Sequence, residues 1–116
     1  MKDECRTTFS AFFLAFSALE EITTPIINGQ LQDARFNIHD SSQNFEMGIN
    51  ALLDGEERTS MLKEFNDLCE EIRQWFATPT KGKDYAHLSF NAQSLDNHFR
   101  SVIPIRILKK CGCPPS

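Results

Sequence analysis

The residues of this sequence with the most evident capacity for chemistry are its four cysteines and three histidines. Cys111 and Cys113 are separated by one residue and directly follow Lys109 and Lys110. Cys5 lies near the other end of the chain. In a four-helix up-down bundle the two chain ends lie at the same end of the molecule, so these three thiols can come together in such a fold.

Three interpretations of these terminal thiols are open. A disulfide from Cys5 to Cys111 or Cys113 requires an oxidising compartment. A zinc site would use the three thiols, with His98 as an optional fourth ligand, whereas paired zinc-binding cysteines are usually separated by two to four residues. We expect the third interpretation, a tail with reduced thiols, and therefore neither a bound metal nor a cofactor.

The remaining candidates for chemistry are less specific. Cys69 falls on the apolar face of a predicted helix, where a free cysteine packs as a small hydrophobe. His39 lies midway along another predicted helix, a position at which a histidine could accept a phosphoryl group. Asp40 directly follows it, and the carboxylate of Asp40 would repel the phosphate. The five glycines are too far apart to form a phosphate-binding loop. We therefore predict no catalytic residue, and a phosphorelay or enzyme using His39, Asp40 or His98 is a minor alternative.

The net charge of −4 hides an asymmetry between the two parts of the chain. Residues 1–72 carry 5 Lys/Arg and 14 Asp/Glu, whereas residues 73–116 carry 7 and 2. We expect the two parts to neutralise each other in the fold. The alternative is a nucleic-acid-binding accessory protein that uses Arg100, Arg106, Lys109 and Lys110. These cations are a thin footprint for a polyanion, so nucleic acid is an unfavoured partner.

The apolar residues predict the secondary structure. Ten Phe against one Trp and one Tyr indicate an aromatic core rather than an aromatic binding surface. Their spacing follows a helical period almost throughout, and predicts helices over 8–27, 30–53, 56–77 and 86–103. Because proline ends or kinks a helix, Pro104 is predicted to end the last helix and leave an extended tail over 104–116.

The core-facing residues of these helices are expected to be the ones that recur at helical spacing. For the four helices in turn they are Phe9, Phe12, Phe13, Phe16, Leu19 and Ile22; Leu31, Ala34, Ile38, Phe45, Ile49 and Leu52; Met61, Phe65, Leu68, Ile72 and Trp75; and Leu88, Ala92, Leu95, Phe99 and Val102.

The first helix is the one apolar segment that resembles a targeting or membrane sequence. Its flank MKDECR is electrically balanced rather than positive, and we expect its apolar run to be too short to cross a bilayer. We interpret it as a core helix, and expect a cytoplasmic protein without a membrane segment.

These patterns predict an all-α fold, an antiparallel up-down four-helix bundle formed by residues 1–116 as a single domain. Gly48 inside the second helix indicates close approach of another backbone, either within the bundle or from a second copy. Ser41 and Ser42 interrupt the apolar face of that helix and are the best sequence candidates for a partner groove. A homodimer is compatible with the length of that helix.

The function predicted from the sequence is that of a non-enzymatic helical module that binds another protein. It fits a small regulator, an inhibitor of the antitoxin or immunity type, or a subunit of a larger complex. The expected contact points are the acidic pairs Glu20-Glu21, Glu56-Glu57 and Glu70-Glu71, which suit a basic partner, and the charged loop at 78–84.

Overall fold

The structure, a computed structural model, describes residues 3–77 and 84–111, and all four of its elements are α-helices. They are α1 (Asp3–Ile27), α2 (Leu31–Leu52), α3 (Gly55–Ala77) and α4 (Tyr85–Cys111). The all-α prediction and the helical bundle are thereby confirmed. The predicted loop at 78–84, apart from its last residue, and the end of the predicted tail at 112–116 lie outside the described residues.

The end of α1 is formed by a left-handed glycine. Gly29 has φ of 78°, a conformation that glycine adopts without strain. Its N–H donates to Ile26 O at 3.2 Å, and the N–H of Gln30 donates to Pro25 O at 2.7 Å. These two bonds satisfy carbonyls that the helix end leaves open. The helix therefore continues through Pro25 and ends at Ile27, the end predicted from the sequence.

Pro25 is accommodated inside α1 because a neighbouring helix replaces the hydrogen bond that it removes. A proline has no N–H to donate to the carbonyl four residues before it, which here belongs to Glu21. That carbonyl accepts a hydrogen bond from Asn37 Nδ2 of α2 at 2.9 Å. The proline thus frees an acceptor, and the freed acceptor joins α1 to α2.

Three phenylalanines stand at the centre of the core. Phe45 of α2 and Phe65 of α3 stack with their ring centroids 4.1 Å apart, and Phe99 of α4 lies 6.2 Å from Phe45. All three are essentially inaccessible to solvent. Aliphatic side chains surround them, including Leu19, Ile22, Ile49, Leu52, Met61, Leu68, Ile72 and Leu95.

The core face predicted for α1 is partly wrong. Leu19 and Ile22 are buried, but Phe13 is 62% exposed and Phe9, Phe12 and Phe16 are half-buried. Small residues take the innermost positions instead, namely Ala11, Ala15 and Ala18. The expectation of an aromatic core rather than an aromatic surface is also only partly correct, since Phe36 and Phe90 are exposed.

The α1 segment Cys5–Ile27 is long and apolar enough to cross a membrane by length and composition, so the expectation that it is too short is wrong. The core helix of a soluble protein passes the same test. Here Ala15, Leu19, Ile22 and Ile26 are completely buried in the bundle.

The predicted end of α4 at 103 and the extended tail from 104 are wrong for the residues described. α4 continues through Pro104 to Cys111. The reason is that the buried stripe continues beyond the proline: Ile103, Ile107 and Cys111 follow one another at four-residue intervals and are all buried. Their burial, together with the covalent link at Cys111, offsets the hydrogen bond that Pro104 cannot make.

Helices α1 and α4 are joined to each other at both of their ends. The Tyr85 hydroxyl at the start of α4 donates to Ile26 O near the end of α1. Cys5, in the first turns of α1, is bonded to Cys111 at the end of α4. α2 packs on both α1 and α3, and α3 packs on α4.

Candidate functional site

The terminal cysteines form the most definite chemical feature of the molecule. Cys5 and Cys111 form a disulfide, with Cα atoms 4.8 Å apart and each residue about 5% exposed. The expected tail with reduced thiols is therefore wrong for Cys111, because α4 continues past Pro104 and delivers this residue to α1. Cys113 lies outside the described residues.

The zinc interpretation finds no support among the described residues. They contain no group of three or more Cys, His, Asp and Glu side chains that could hold a metal ion. His98 lies thirteen positions before Cys111 on the same helix, about 20 Å away along the axis. Its Nδ1 pairs instead with Glu64 Oε2 of α3.

Cys69 is the free cysteine of the described residues, and it is buried as predicted. Burial raises the pKa of its thiol, although the contact of its Sγ with Ser42 Oγ at 3.8 Å acts in the opposite direction. A neutral buried thiol is a poor nucleophile, so this side chain contributes to packing.

The predicted groove at Ser41 and Ser42 is filled by the protein's own contacts. Ser41 is completely buried, and its hydroxyl donates to Glu21 Oε2 of α1 at 2.9 Å. Ser42 faces Cys69 of α3. These two serines therefore join α2 to its neighbours, and a groove for a partner at this position is excluded.

Gly48 is the point of closest approach between α1 and α2. A Cβ atom at this position would lie 2.6 Å from Ala11 O and 2.7 Å from Ala15 Cβ. The interpretation that a backbone approaches within the bundle is confirmed, and the approaching backbone is that of α1.

The basic side chains of α4 contact carboxylates of the other helices. Arg100 reaches Glu20 of α1 at 3.2 Å and also Asp96 of its own helix at 2.8 Å. Arg106 reaches Glu57 of α3 at 2.6 Å. This pairing is the mutual neutralisation that the charge asymmetry predicts. It leaves Lys109 and Lys110 as the exposed remainder of the predicted basic region.

Two of the three predicted acidic pairs are divided between a neighbouring helix and solvent or their own helix, whereas both members of Glu20-Glu21 contact neighbouring helices. Glu71 accepts a hydrogen bond from Asn91 Nδ2 of α4 at 2.9 Å, whereas Glu70 contacts Arg73 of its own helix. Similarly, Glu57 binds Arg106 of α4, and its neighbour Glu56 is exposed. The acidic pairs therefore hold the bundle together as much as they charge its surface.

The predictions from the sequence did not include the outer face of α2, where two large apolar side chains are exposed to solvent. Phe36 is 87% exposed and Met47 is 62% exposed. They are eleven residues apart, close to three helical turns, so they lie on one side of the helix about 16 Å apart along its axis. His39 and Asp40, the residues of the phosphorelay alternative, are exposed next to them. We call this surface the α2 outer face.

The sequence held a signal for this face, although a weak one. Phe36 stands two positions after Ala34 and two before Ile38, which places it almost opposite the buried stripe on a 3.6-residue helix. The position of one Phe outside the predicted stripe does not show that its ring is exposed until it is known which side of the helix faces the core. The orientation became certain only from the burial of Ala34, Ile38 and Phe45.

No protein-family model, no curated protein and no solved structure matches this chain. We therefore infer the function from the described side chains and their surroundings.

Proposed function

We propose that this protein is a non-enzymatic helical module that binds another protein through the α2 outer face. The observation that carries the proposal is the exposure of Phe36 and Met47 on one side of a helix whose opposite side forms the core. Full burial of such a side chain is worth about 1.5–3 kcal/mol. A partner that covers both therefore gains a large part of a binding free energy.

The chemistry of the α2 outer face specifies the partner. Methionine adapts its shape to different surfaces, and aromatic residues are enriched at interface centres. Asp33 and Asp40 flank the two apolar side chains and are exposed. The matching surface is therefore apolar with basic groups at its rim. An inhibitor, a regulator or a subunit of a larger complex uses such a surface.

Two grooves lie on the described part of the surface away from the α2 outer face. The groove between α3 and α4 that is lined by Glu64, Glu71 and Asn91 encloses about 190 Å³. The groove between Leu53 and Lys109 encloses about 260 Å³. Small-molecule sites usually hold about 300–1,000 Å³. Both grooves are small for a substrate pocket.

We also propose that the four helices form an antiparallel up-down bundle and a single domain. The contacts between helix ends support this arrangement. Tyr85 meets Ile26 at one end of the α1–α4 pair, and Cys5 meets Cys111 at the other. The short turns 28–30 and 53–54 support antiparallel neighbours in α1–α2 and α2–α3.

The disulfide bears on the cellular location of the protein, and the α2 outer face bears on its self-association. The cytoplasmic location stays a prediction, and the Cys5–Cys111 bond favours either an oxidising compartment or a redox-responsive cytosolic protein. A second copy of this chain is another candidate for the partner that covers the α2 outer face, and the assembly would then be a homodimer.

Site-specific photo-crosslinking in the protein's own cells tests the proposed binding. A benzoylphenylalanine at Phe36 is expected to trap one discrete protein, whereas the same group at Lys63, on the exposed surface of α3, is expected to trap none. Phe36→Asp is expected to abolish co-purification of the trapped protein. The matched control is Phe90→Asp, which removes a similarly exposed ring from α4 and is expected to leave it intact.

The outcomes separate the alternatives. A crosslinked species of twice the chain's 13.2 kDa identifies a homodimer. Equal crosslinking from both positions, or no loss of the partner in Phe36→Asp, contradicts the proposed face.

A further inference from the structure

We propose that the Cys5–Cys111 disulfide is a reversible redox site that reacts with low-molecular-weight thiols and controls the docking of the last turns of α4, residues 104–111. This inference is independent of the proposed partner. It rests on how little else attaches that segment to the bundle.

Most side chains of the segment 104–111 are exposed to solvent. Its exposed residues are Pro104, Ile105, Leu108, Lys109 and Lys110. Within the part of the chain that the structure describes, three attachments hold it: the buried side chain of Ile107, the ion pair of Arg106 with Glu57 at 2.6 Å, and the bond from Cys111 to Cys5.

The backbone of the segment is also weakened at its start. Pro104 has no N–H to donate to the carbonyl of Arg100, so one helical hydrogen bond is missing where the segment joins the rest of α4. A helix end with few buried contacts opens locally at a small free-energy cost. Of the three attachments, the disulfide is the covalent one, and it prevents this opening.

The segment covers an apolar part of the bundle. Arg106, Lys109 and Lys110 form one side of a groove of about 260 Å³, and Leu52, Leu53 and Asp54 contribute to the other. Leu52 and Leu53 are buried. Release of the segment would therefore expose apolar surface at the turn between α2 and α3.

The reaction is thiol–disulfide exchange. A thiolate from a low-molecular-weight thiol attacks one cysteine sulfur, the S–S bond breaks, and the other cysteine leaves as a thiolate that takes up a proton. A second molecule of the same thiol attacks the small-molecule sulfur of the mixed disulfide, releases the first cysteine as a thiol and leaves as the symmetric disulfide of the low-molecular-weight thiol. Because Cys5 and Cys111 are each about 5% exposed, attack requires a small local fluctuation that uncovers one sulfur while the bond is still intact.

Hydrogen–deuterium exchange of the oxidised and glutathione-reduced protein tests the proposal. We expect reduction to increase exchange of the amides at 105–111 by at least tenfold, with little change at the centre of α4 near Phe99. Because the bond closes a loop of about a hundred residues, the Tm is expected to fall by roughly 10–20 °C. Cys5→Ser and Cys111→Ser are expected to reproduce both effects and to respond no further to reductant.

The matched control is Cys113→Ser, which removes a neighbouring thiol and leaves the proposed bond intact. It is expected to behave as the unaltered protein in every measurement. Three results would overturn the proposal: equal protection of 105–111 in the reduced protein, a Tm loss in Cys113→Ser equal to that in Cys111→Ser, or a bond that millimolar glutathione does not reduce under native conditions. The reduced unaltered protein provides the same comparison if either serine variant fails to fold.

Discussion

At the scale of single residues, the absence of a side chain at Gly48 allows α1 and α2 to pack closely. A Cβ at this position would lie 2.6 Å from Ala11 O and 2.9 Å from Ala15 N, which are backbone atoms that no rotamer change can move. We expect Gly48→Ala to destabilise the protein by up to about 2 kcal/mol, because an overpacking strain of about 1–3 kcal/mol exceeds the gain of about 1 kcal/mol in helix propensity.

Urea unfolding followed by circular dichroism measures this difference. Asn50→Ala, at an exposed position of the same helix, is the control and is expected to be neutral or slightly stabilising. A Gly48→Ala protein as stable as the unaltered one would show that α1 moves away from α2 without cost.

Gly48 also explains which residue-level predictions failed. Its position inside a helix predicts a close approach, but the sequence alone did not say which backbone approaches. Helix α1 has two apolar stripes, one rich in alanine and one rich in phenylalanine, and periodicity cannot rank them. Because a glycine at the contact requires a small partner, Ala11 and Ala15 face α2, and the ring of Phe13 is left in solvent.

At the scale of the helices, Pro25 and Asn37 act as a pair. Pro25 leaves the carbonyl of Glu21 without a helical donor, and Asn37 Nδ2 of α2 fills the place at 2.9 Å. Asn37→Ala is therefore expected to cost about 1 kcal/mol in the unaltered protein. In a Pro25→Ala background the new N–H at this position satisfies the carbonyl, and the same change is expected to cost much less.

A double-mutant cycle over these two positions, measured by urea unfolding, gives the coupling energy. Thr24→Ala, next to the proline and exposed, is the control background and is expected to leave the cost of Asn37→Ala unchanged. If Asn37→Ala costs the same free energy in the unaltered protein and in the Pro25→Ala background, the pairing is contradicted.

The elements show how much of the fold and of the candidate site the sequence could predict. The stripes of α2 and α3 are spaced so regularly that their core residues, apart from the half-buried Trp75, were predicted correctly. The end of α4 was not, since a local rule for Pro104 cannot include the burial of Ile107 or the bond at Cys111. The Cys5–Cys111 pairing depends on that continuation of α4, so the sequence left it as one of three alternatives.

On the scale of the whole molecule, acidic side chains of α1 and α3 pair with basic side chains of α4. The acidic part, residues 1–72, supplies Glu20 and Glu57, and the basic part supplies their partners Arg100 and Arg106. The asymmetry therefore serves the fold first. The α2 outer face, which we propose as the binding surface, was revealed by the exposure of Phe36 and could not be found by counting charges.

The pairing between the two parts predicts how stability depends on pH. The hydrogen bond from Arg106 lowers the pKa of Glu57 below its ordinary value of 4.5. A carboxylate with a lowered folded pKa stabilises the native state above its unfolded pKa, and the stabilisation is lost as the pH falls through the folded pKa. The Tm difference between the unaltered protein and Glu57→Gln is therefore expected to be full at neutral pH and to shrink as the pH falls below 4.5.

Thermal unfolding from neutral pH to about pH 3 measures this difference. In an Arg106→Gln background the donor is gone, so adding Glu57→Gln is expected to give a Tm difference with little dependence on pH. A difference in the unaltered background that stays constant through the acid range would mean that Glu57 and Arg106 remain hydrated as separate ions. The attachment of residues 104–111 would then rest on Ile107 and the disulfide alone, and reduction would release the segment equally at every pH.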